Sequence, residues 1–237
     1  MNSISVEKAL KGNPYPGRGI ILGKSEGGKN AVAVYFIMGR SENSRNRIFL
    51  EDGDDVMIKP FDESKVSDPS LIVYYPIRAH EYELIVTNGD QTDTVYNYLL
   101  EGDSFEAALN TREFEPDSPN FTPRISGIIE LNEELTYKLS ILKCGDADTQ
   151  KCFRYFYNYE AISGTGHLIH TYETDGDPLP TFVGEPKQIE ITGTLTEFAD
   201  RVWNSLDEEN RISLVAKSIN MQNGQTKTYI INKNISK

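Results

Sequence analysis

Histidine and cysteine are scarce in this chain, with three and two copies in 237 residues. Zinc and most transition-metal sites are built from these side chains, so a metal centre has little to draw on. His167 and His170 are not at the spacing that sets two imidazoles on one helix face, and Cys144 and Cys152 match no metal-clip spacing. No apolar run approaches the ~20 residues that span a bilayer, and Met1 to Gly12 lacks the apolar core and cleavage site of an export signal. The expectation is a protein of the reducing cytoplasm without metal or cofactor, its two cysteines reduced structural thiols. Positive charge is also short: 24 Lys+Arg against 36 Asp+Glu, a net charge of −12. Such a surface repels nucleic-acid backbone and anionic membrane, which excludes both as partners. Gly-x-Ser-x-Gly, P-loop and dinucleotide-binding glycine patterns are absent as well.

What stands out against this background is Gly39 to Arg47, GRSENSRNR. Arg40, Arg45 and Arg47, interleaved with Ser41, Asn43, Ser44 and Asn46, concentrate hydrogen-bond donors at the end of an apolar run. Guanidinium forks pair bidentately with phosphate or carboxylate, and hydroxyl and amide groups fill the remaining acceptor positions. A local cluster of this kind in an acidic protein suits a small anionic ligand better than a polyanion. The bland alternative is a solvated hairpin loop.

Residues 1–18 are polar and carry Pro14 and Pro16, which predicts a leading arm. Gly19–Lys24 and Ala31–Met38 read as strands around a turn at Glu26-Gly27-Gly28. Short strands are expected near Ile48 and Val56, followed by Leu71–Ala79 and Tyr82–Thr87. Pro76 makes the first of these an edge, a bulge or a strand end. Thr87–Thr94, TNGDQTDT, joins the turn signal Asn88-Gly89 to Asp90 or Thr92 as cap of a helix running from Val95 to Leu100. Asp103 and Glu106 stand at capping-box spacing before Ala107–Leu109, and Arg112–Ser126 is a proline-rich acidic loop long enough to be functional. Strands follow at Ile125–Leu131, Leu135–Lys143, Cys152–Ala161 and His167–Thr171. Thr194 with Glu197 opens a helix whose Leu195, Phe198, Ala199, Val202, Trp203 and Leu206 share one face. Arg211–Ile219 and Thr226–Ile231, joined at Asn223-Gly224, close the pattern. With no repeat or linker, this predicts one α+β domain over 1–237, with helices covering sheets.

Five stretches, in this order, resemble the archaeal-type IMP cyclohydrolase family. They are Gly17-Arg18; Arg40-Ser41 with Asn46-Arg47; Tyr74 with Ile77-Arg78; Asn88-Gly89 with Thr92-Asp93-Thr94; and Thr122-Pro123-Arg124-Ile125. The first half of the chain carries the resemblance. It implies a four-layer αββα sandwich like that of the N-terminal-nucleophile hydrolases, used without an N-terminal nucleophile. The implied reaction closes 5-formamidoimidazole-4-carboxamide ribonucleotide to IMP with loss of water, the last step of purine ring synthesis, and requires no metal or cofactor. By the same resemblance Arg40, Tyr74 and Glu115 stand at the chemistry. Tyr74 would polarise or protonate the formyl oxygen, Glu115 would handle the amide proton, and Arg40 would offset negative charge. Arg40, Arg45 and Arg47 would hold the phosphate, with Ser41 and Asn46 beside them. Asn88, Thr92, Asp93, Thr122 and Arg124 would line the pocket around the ribose phosphate or base. A homo-oligomer is a further expectation. The other readings are a non-catalytic purine-nucleotide-binding protein and a related cyclase or amidohydrolase acting on another ribonucleotide.

Overall fold

A computed structural model describes residues 3–66, 73–145 and 150–235. Its helices are α1 (Val6–Leu10), α2 (Glu42–Arg45), α3 (Gln91–Leu100), α4 (Phe105–Asn110) and α5 (Leu195–Ser205). The strands are β1 (Arg18–Lys24), β2 (Asn30–Met38), β3 (Ile48–Asp52), β4 (Asp55–Lys59), β5 (Tyr74–His80), β6 (Glu83–Thr87) and β7 (Arg124–Leu131). They continue with β8 (Leu135–Cys144), β9 (Cys152–Glu160), β10 (Thr165–His170), β11 (Lys187–Glu190), β12 (Arg211–Asn220) and β13 (Thr226–Asn232). The result is α+β, with two antiparallel sheets: six strands ordered β11-β10-β1-β2-β12-β13, and seven ordered β3-β4-β5-β6-β7-β8-β9.

The period-two alternation of the strands decides which side chains meet. Ile20, Leu22, Tyr35 and Ile37 of one sheet face Leu84, Val86, Ile125, Leu139 and Ile141 of the other in a shared apolar core. The intervening residues point the opposite way. On the six-stranded sheet Ile21, Val34, Phe36 and Leu214 bury Val6 and Leu10 of α1 and Phe198 and Val202 of α5. On the seven-stranded sheet Ile85, Ile128 and Leu142 bury Val95, Phe105 and Leu109 of α3 and α4. Strands covered on both faces read as nearly continuous apolar runs, as β1 and β2 do.

The structure departs from the sequence reading in several places. Residues 1–18 are not simply an arm: Ser5 caps α1 by accepting from the Lys8 N–H, and Val6 and Leu10, one turn apart, are buried. Their stripe was too short to show in a polar segment. Helix α3 starts at Gln91, four residues before Val95, and neither expected cap acts. The Asp90 side chain makes no cap bond, because its carboxylate is taken by Arg112 and Arg124. The hydroxyl of Thr92, inside the first turn, donates back to the Gly89 carbonyl. Ser104, not Asp103, caps α4, accepting from the Ala107 N–H at 3.1 Å. GRSENSRNR contains one helical turn, α2, capped by Ser41, and β11 was missed altogether. Leu71 and Ile72 lie outside the described residues. Pro76 does mark a bulge: Ile77 pairs with Val56 but Tyr74 with Ile58, so β5 spends an extra residue there. Cys144 and Cys152 stand directly opposite each other across β8 and β9. Among the described residues no helix is long and apolar enough to cross a bilayer.

Candidate active site

β1, β5 and β7 begin, and β2, β6 and β10 end, at one common end of the two sheets. There the strand ends and their loops enclose a cavity of about 800 Å³ lined by Arg18, Arg47, Tyr74, Asn88, Glu115, Thr122, Arg124 and Tyr172 among others. The side chains that reach it do so because strand alternation, broken once by a bulge, aims them there.

Arg18 has the same parity as Ile20 and Leu22, so it continues the inward face of β1 past the apolar core. Gly17 sets it there. Its φ of +78° is left-handed, and a Cβ would lie 2.2 Å from the Thr171 hydroxyl oxygen and 2.6 Å from the Tyr172 ring. Gly17→Ala is therefore expected to cost about 2–4 kcal/mol of stability in urea titration, from backbone strain plus overpacking. It should weaken anion binding at Arg18 as well.

Arg18 and Arg47 lie deep in the fold and retain solvent contact through the cavity. Among the described residues neither meets a carboxylate at ion-pair distance. The Arg47 Nε has no hydrogen-bond partner. Burial, and then the like charge of Arg18, hold the Arg47 pKa below its ordinary value. For Arg18 burial also works against the charge, but the oxygens of Tyr35, Tyr74, Tyr15 and Tyr172 more than offset it. Two neighbouring cations with no carboxylate at ion-pair distance form a site for an anion, which would pair with both guanidiniums. The other arginines are already neutralised. Arg40 donates to Asp175 at 2.5 Å and to the Gly176 carbonyl at 3.0 Å. Arg124 pairs with Asp90 at 2.6 Å and Glu115 at 3.0 Å.

Tyr74 reaches the cavity through the bulge. Tyr74 and Ile77, three positions apart, would point to opposite faces of a regular strand, yet both belong to the inter-sheet core. Its hydroxyl lies 3.1 Å from that of Tyr35 on the facing sheet. Tyr35 is fully enclosed, and burial pushes its hydroxyl well above the ordinary value. With Tyr35 donating, the Tyr74 O–H is free for a ligand. Glu115 is pushed upward by burial; Arg124 and Arg18 oppose this, while Asp90 and Asp117 reinforce it. A carboxylate raised in this way is a stronger base than an ordinary one, which suits proton transfer. Beside it, the Thr122 hydroxyl donates to Asp117 and so accepts from the Tyr172 hydroxyl, 2.6 Å away.

Of the residues expected at a site, Arg40, Ser41, Arg47, Tyr74, Asn88, Glu115, Thr122 and Arg124 line this one cavity. Four others do not. Arg45 turns outward to the Glu209 carbonyl and the Asn210 side chain. Asn46 is buried against the backbone of Asp62, donating at 2.8 Å and accepting at 2.7 Å. Thr92 is locked to Thr87 and Gly89 under the turn, and Asp93 pairs with Arg78 at 2.8 Å on the outer face of β5. Arg45 and Asn46 adjoin the lining residues Ser44 and Arg47, and Thr92 and Asp93 follow Asp90 by two and three positions; helical turns in α2 and α3 rotate them away. Arg18, Asp117 and Tyr172 were not expected. The inward parity of Arg18 was a readable signal; Tyr172 had none.

Among the described residues no three His, Cys, Asp or Glu side chains are placed to hold a metal ion. Residues 15–224 match the model of a family described as IMP cyclohydrolase-like protein. The chain is similar to the IMP cyclohydrolase of Methanocaldococcus jannaschii, 31% identical over 202 residues, which are 84% of this chain and 91% of that protein. It is similar to the IMP cyclohydrolase of Methanothrix thermoacetophila, 32% identical over 166 residues, 68% of this chain and 76% of that protein. The similarity thus extends well beyond the first half.

Proposed function

This chain belongs to the IMP cyclohydrolase-like protein family, and from that premise we propose that it closes 5-formamidoimidazole-4-carboxamide ribonucleotide to IMP with release of water. The observation that carries this reading is that Arg18 and Arg47, neither ion-paired among the described residues, share one cavity with Tyr74 and Glu115. The two guanidiniums hold the phosphate, and Arg40, tied to Asp175, shapes the mouth of the cavity. Anchoring the phosphate places the carboxamide nitrogen against the formyl carbon, and orientation of this kind supplies a large part of the rate.

Addition and elimination then use the same two groups. As nitrogen attacks, Glu115 takes its proton and Tyr74 protonates the formyl oxygen. Glu115 next returns its proton to that hydroxyl, which leaves as water, while the formamido N–H proton passes to the Tyr74 oxygen. Both groups end as they began. Asn88, Thr122 and Arg124 position the ribose and base, with Ser41 at the entrance; Arg45, Asn46, Thr92 and Asp93 act only by holding neighbouring segments.

The same reading gives one domain with a four-layer αββα sandwich resembling the N-terminal-nucleophile hydrolases, without their nucleophile. Helices packed on the outward face of each sheet support it. The deciding experiment follows ring closure by ultraviolet absorbance on purified protein. Turnover above the uncatalysed rate is expected without added metal. Tight IMP binding with no turnover would leave the non-catalytic nucleotide-binding reading in its place.

A further inference from the structure

Each edge of a sheet leaves a row of outward N–H and C=O groups that need a partner or protection. Three of the four edges here are covered by the chain itself. Beside β11, Ile4 donates to the Gln188 carbonyl at 3.1 Å and accepts from the Glu190 N–H at 2.9 Å. The edges of β3 and β13 are stitched together by the Asn232 amide, which accepts from the Phe49 N–H and donates to the Phe49 carbonyl, both at 2.9 Å.

β9 is different. Among the described residues, none bonds to its backbone between Arg154 and Glu160 except through the pairing with β8. That pairing runs without a shift from Thr136–Glu160 to Cys144–Cys152, so no bulge twists the edge away. The strand, CFRYFYNYE, contains neither proline nor lysine. Five of its nine residues are aromatic and none of the nine is buried, with Phe153 and Tyr155 exposed by 46% and 40%. A long, regular, aromatic edge is the kind that monomeric proteins avoid.

Its two charges indicate the partner. Arg154 and Glu160 lie on the same face, equally spaced about Tyr157. If a second copy pairs antiparallel about a two-fold axis at Tyr157, each Arg154 stands opposite a Glu160. Moving the axis to Phe156 sets Glu160 against Cys152, and moving it to Asn158 sets Arg154 against Ile162, so the charges select one register. We propose that two copies of this chain dimerise through β9 in this register, joining their seven-stranded sheets into one continuous sheet. Such an isologous contact closes on itself and consumes both open edges.

Sedimentation equilibrium of the full chain tests this, with circular dichroism to check folding. The wild type is expected to be a dimer at micromolar concentration. Arg154→Glu and Glu160→Arg each replace two attractive pairs with two repulsive ones and should weaken dimerisation about tenfold or more. The double swap, Arg154→Glu with Glu160→Arg, should restore it. Arg154 also donates to the Arg112 carbonyl at 2.7 Å, so if Arg154→Glu fails to fold, Glu160→Arg decides alone; Glu160 has no ion pair among the described residues. A wild-type monomer at high micromolar concentration overturns the proposal, as do single variants that dimerise like the wild type. Neither result depends on catalytic activity.

Discussion

Replacing Arg47 with methionine is expected to lower affinity for IMP by about 10²–10³-fold while leaving the ligand-free protein at least as stable as the wild type. The two effects have one cause. Without ligand, burial and the like charge of Arg18 disfavour the Arg47 guanidinium, so removing it relieves repulsion. With ligand, the lost guanidinium leaves a phosphate charge partly unmatched in the interior, a loss of about 3–4 kcal/mol. Arg45→Met is the control. Its guanidinium bonds only to Arg40, Glu209 and Asn210, and it should bind IMP normally. Calorimetric titration and urea unfolding give both quantities. Unchanged IMP affinity in Arg47→Met would remove the anion site from this cavity.

Glu115→Gln and Tyr74→Phe are the second pair, each expected to lower kcat by about 10²–10⁴-fold with little change in KM, since both groups act on protons in flight. Glu115 adds a pH signature. Burial raises it above the ordinary 4.5, so the folded protein binds this proton more readily than the unfolded chain does. Wild-type stability should therefore decline as pH rises from the unfolded pKa through the folded one, then level off. Glu115→Gln should lack that decline, and in the wild type kcat should rise with pH across the same window as the base ionises. Thermal unfolding and steady-state rates against pH measure both. A kcat profile with no limb above 4.5 would exclude Glu115 as the base.

The residues of this site were unequally legible. Tyr74 and Glu115 were reached through motif order, which says nothing about geometry; the bulge at Pro76 that turns Tyr74 inward is a property of strand pairing. GRSENSRNR was read as three equivalent donors. In the fold one arginine lines the cavity unpaired, one is neutralised by Asp175 from a loop 135 residues away, and one faces out. Helical rotation within α2 and a long-range ion pair separate them, and neither is encoded in local spacing. Arg18 was legible by parity and overlooked because a single arginine at a strand start is common.

Period-two apolar runs, turn glycines and the amphipathic face of α5 are local properties, and the chain alone determined an α+β domain with helices covering sheets. Which charges are left without partners is a different kind of fact. It depends on distances between segments far apart in sequence, where a carboxylate a few ångströms away turns an arginine from ligand-binder into structural tie. Only the tertiary structure decided that Arg18 and Arg47 have no carboxylate at ion-pair distance and that, among the described residues, the β9 edge is left open.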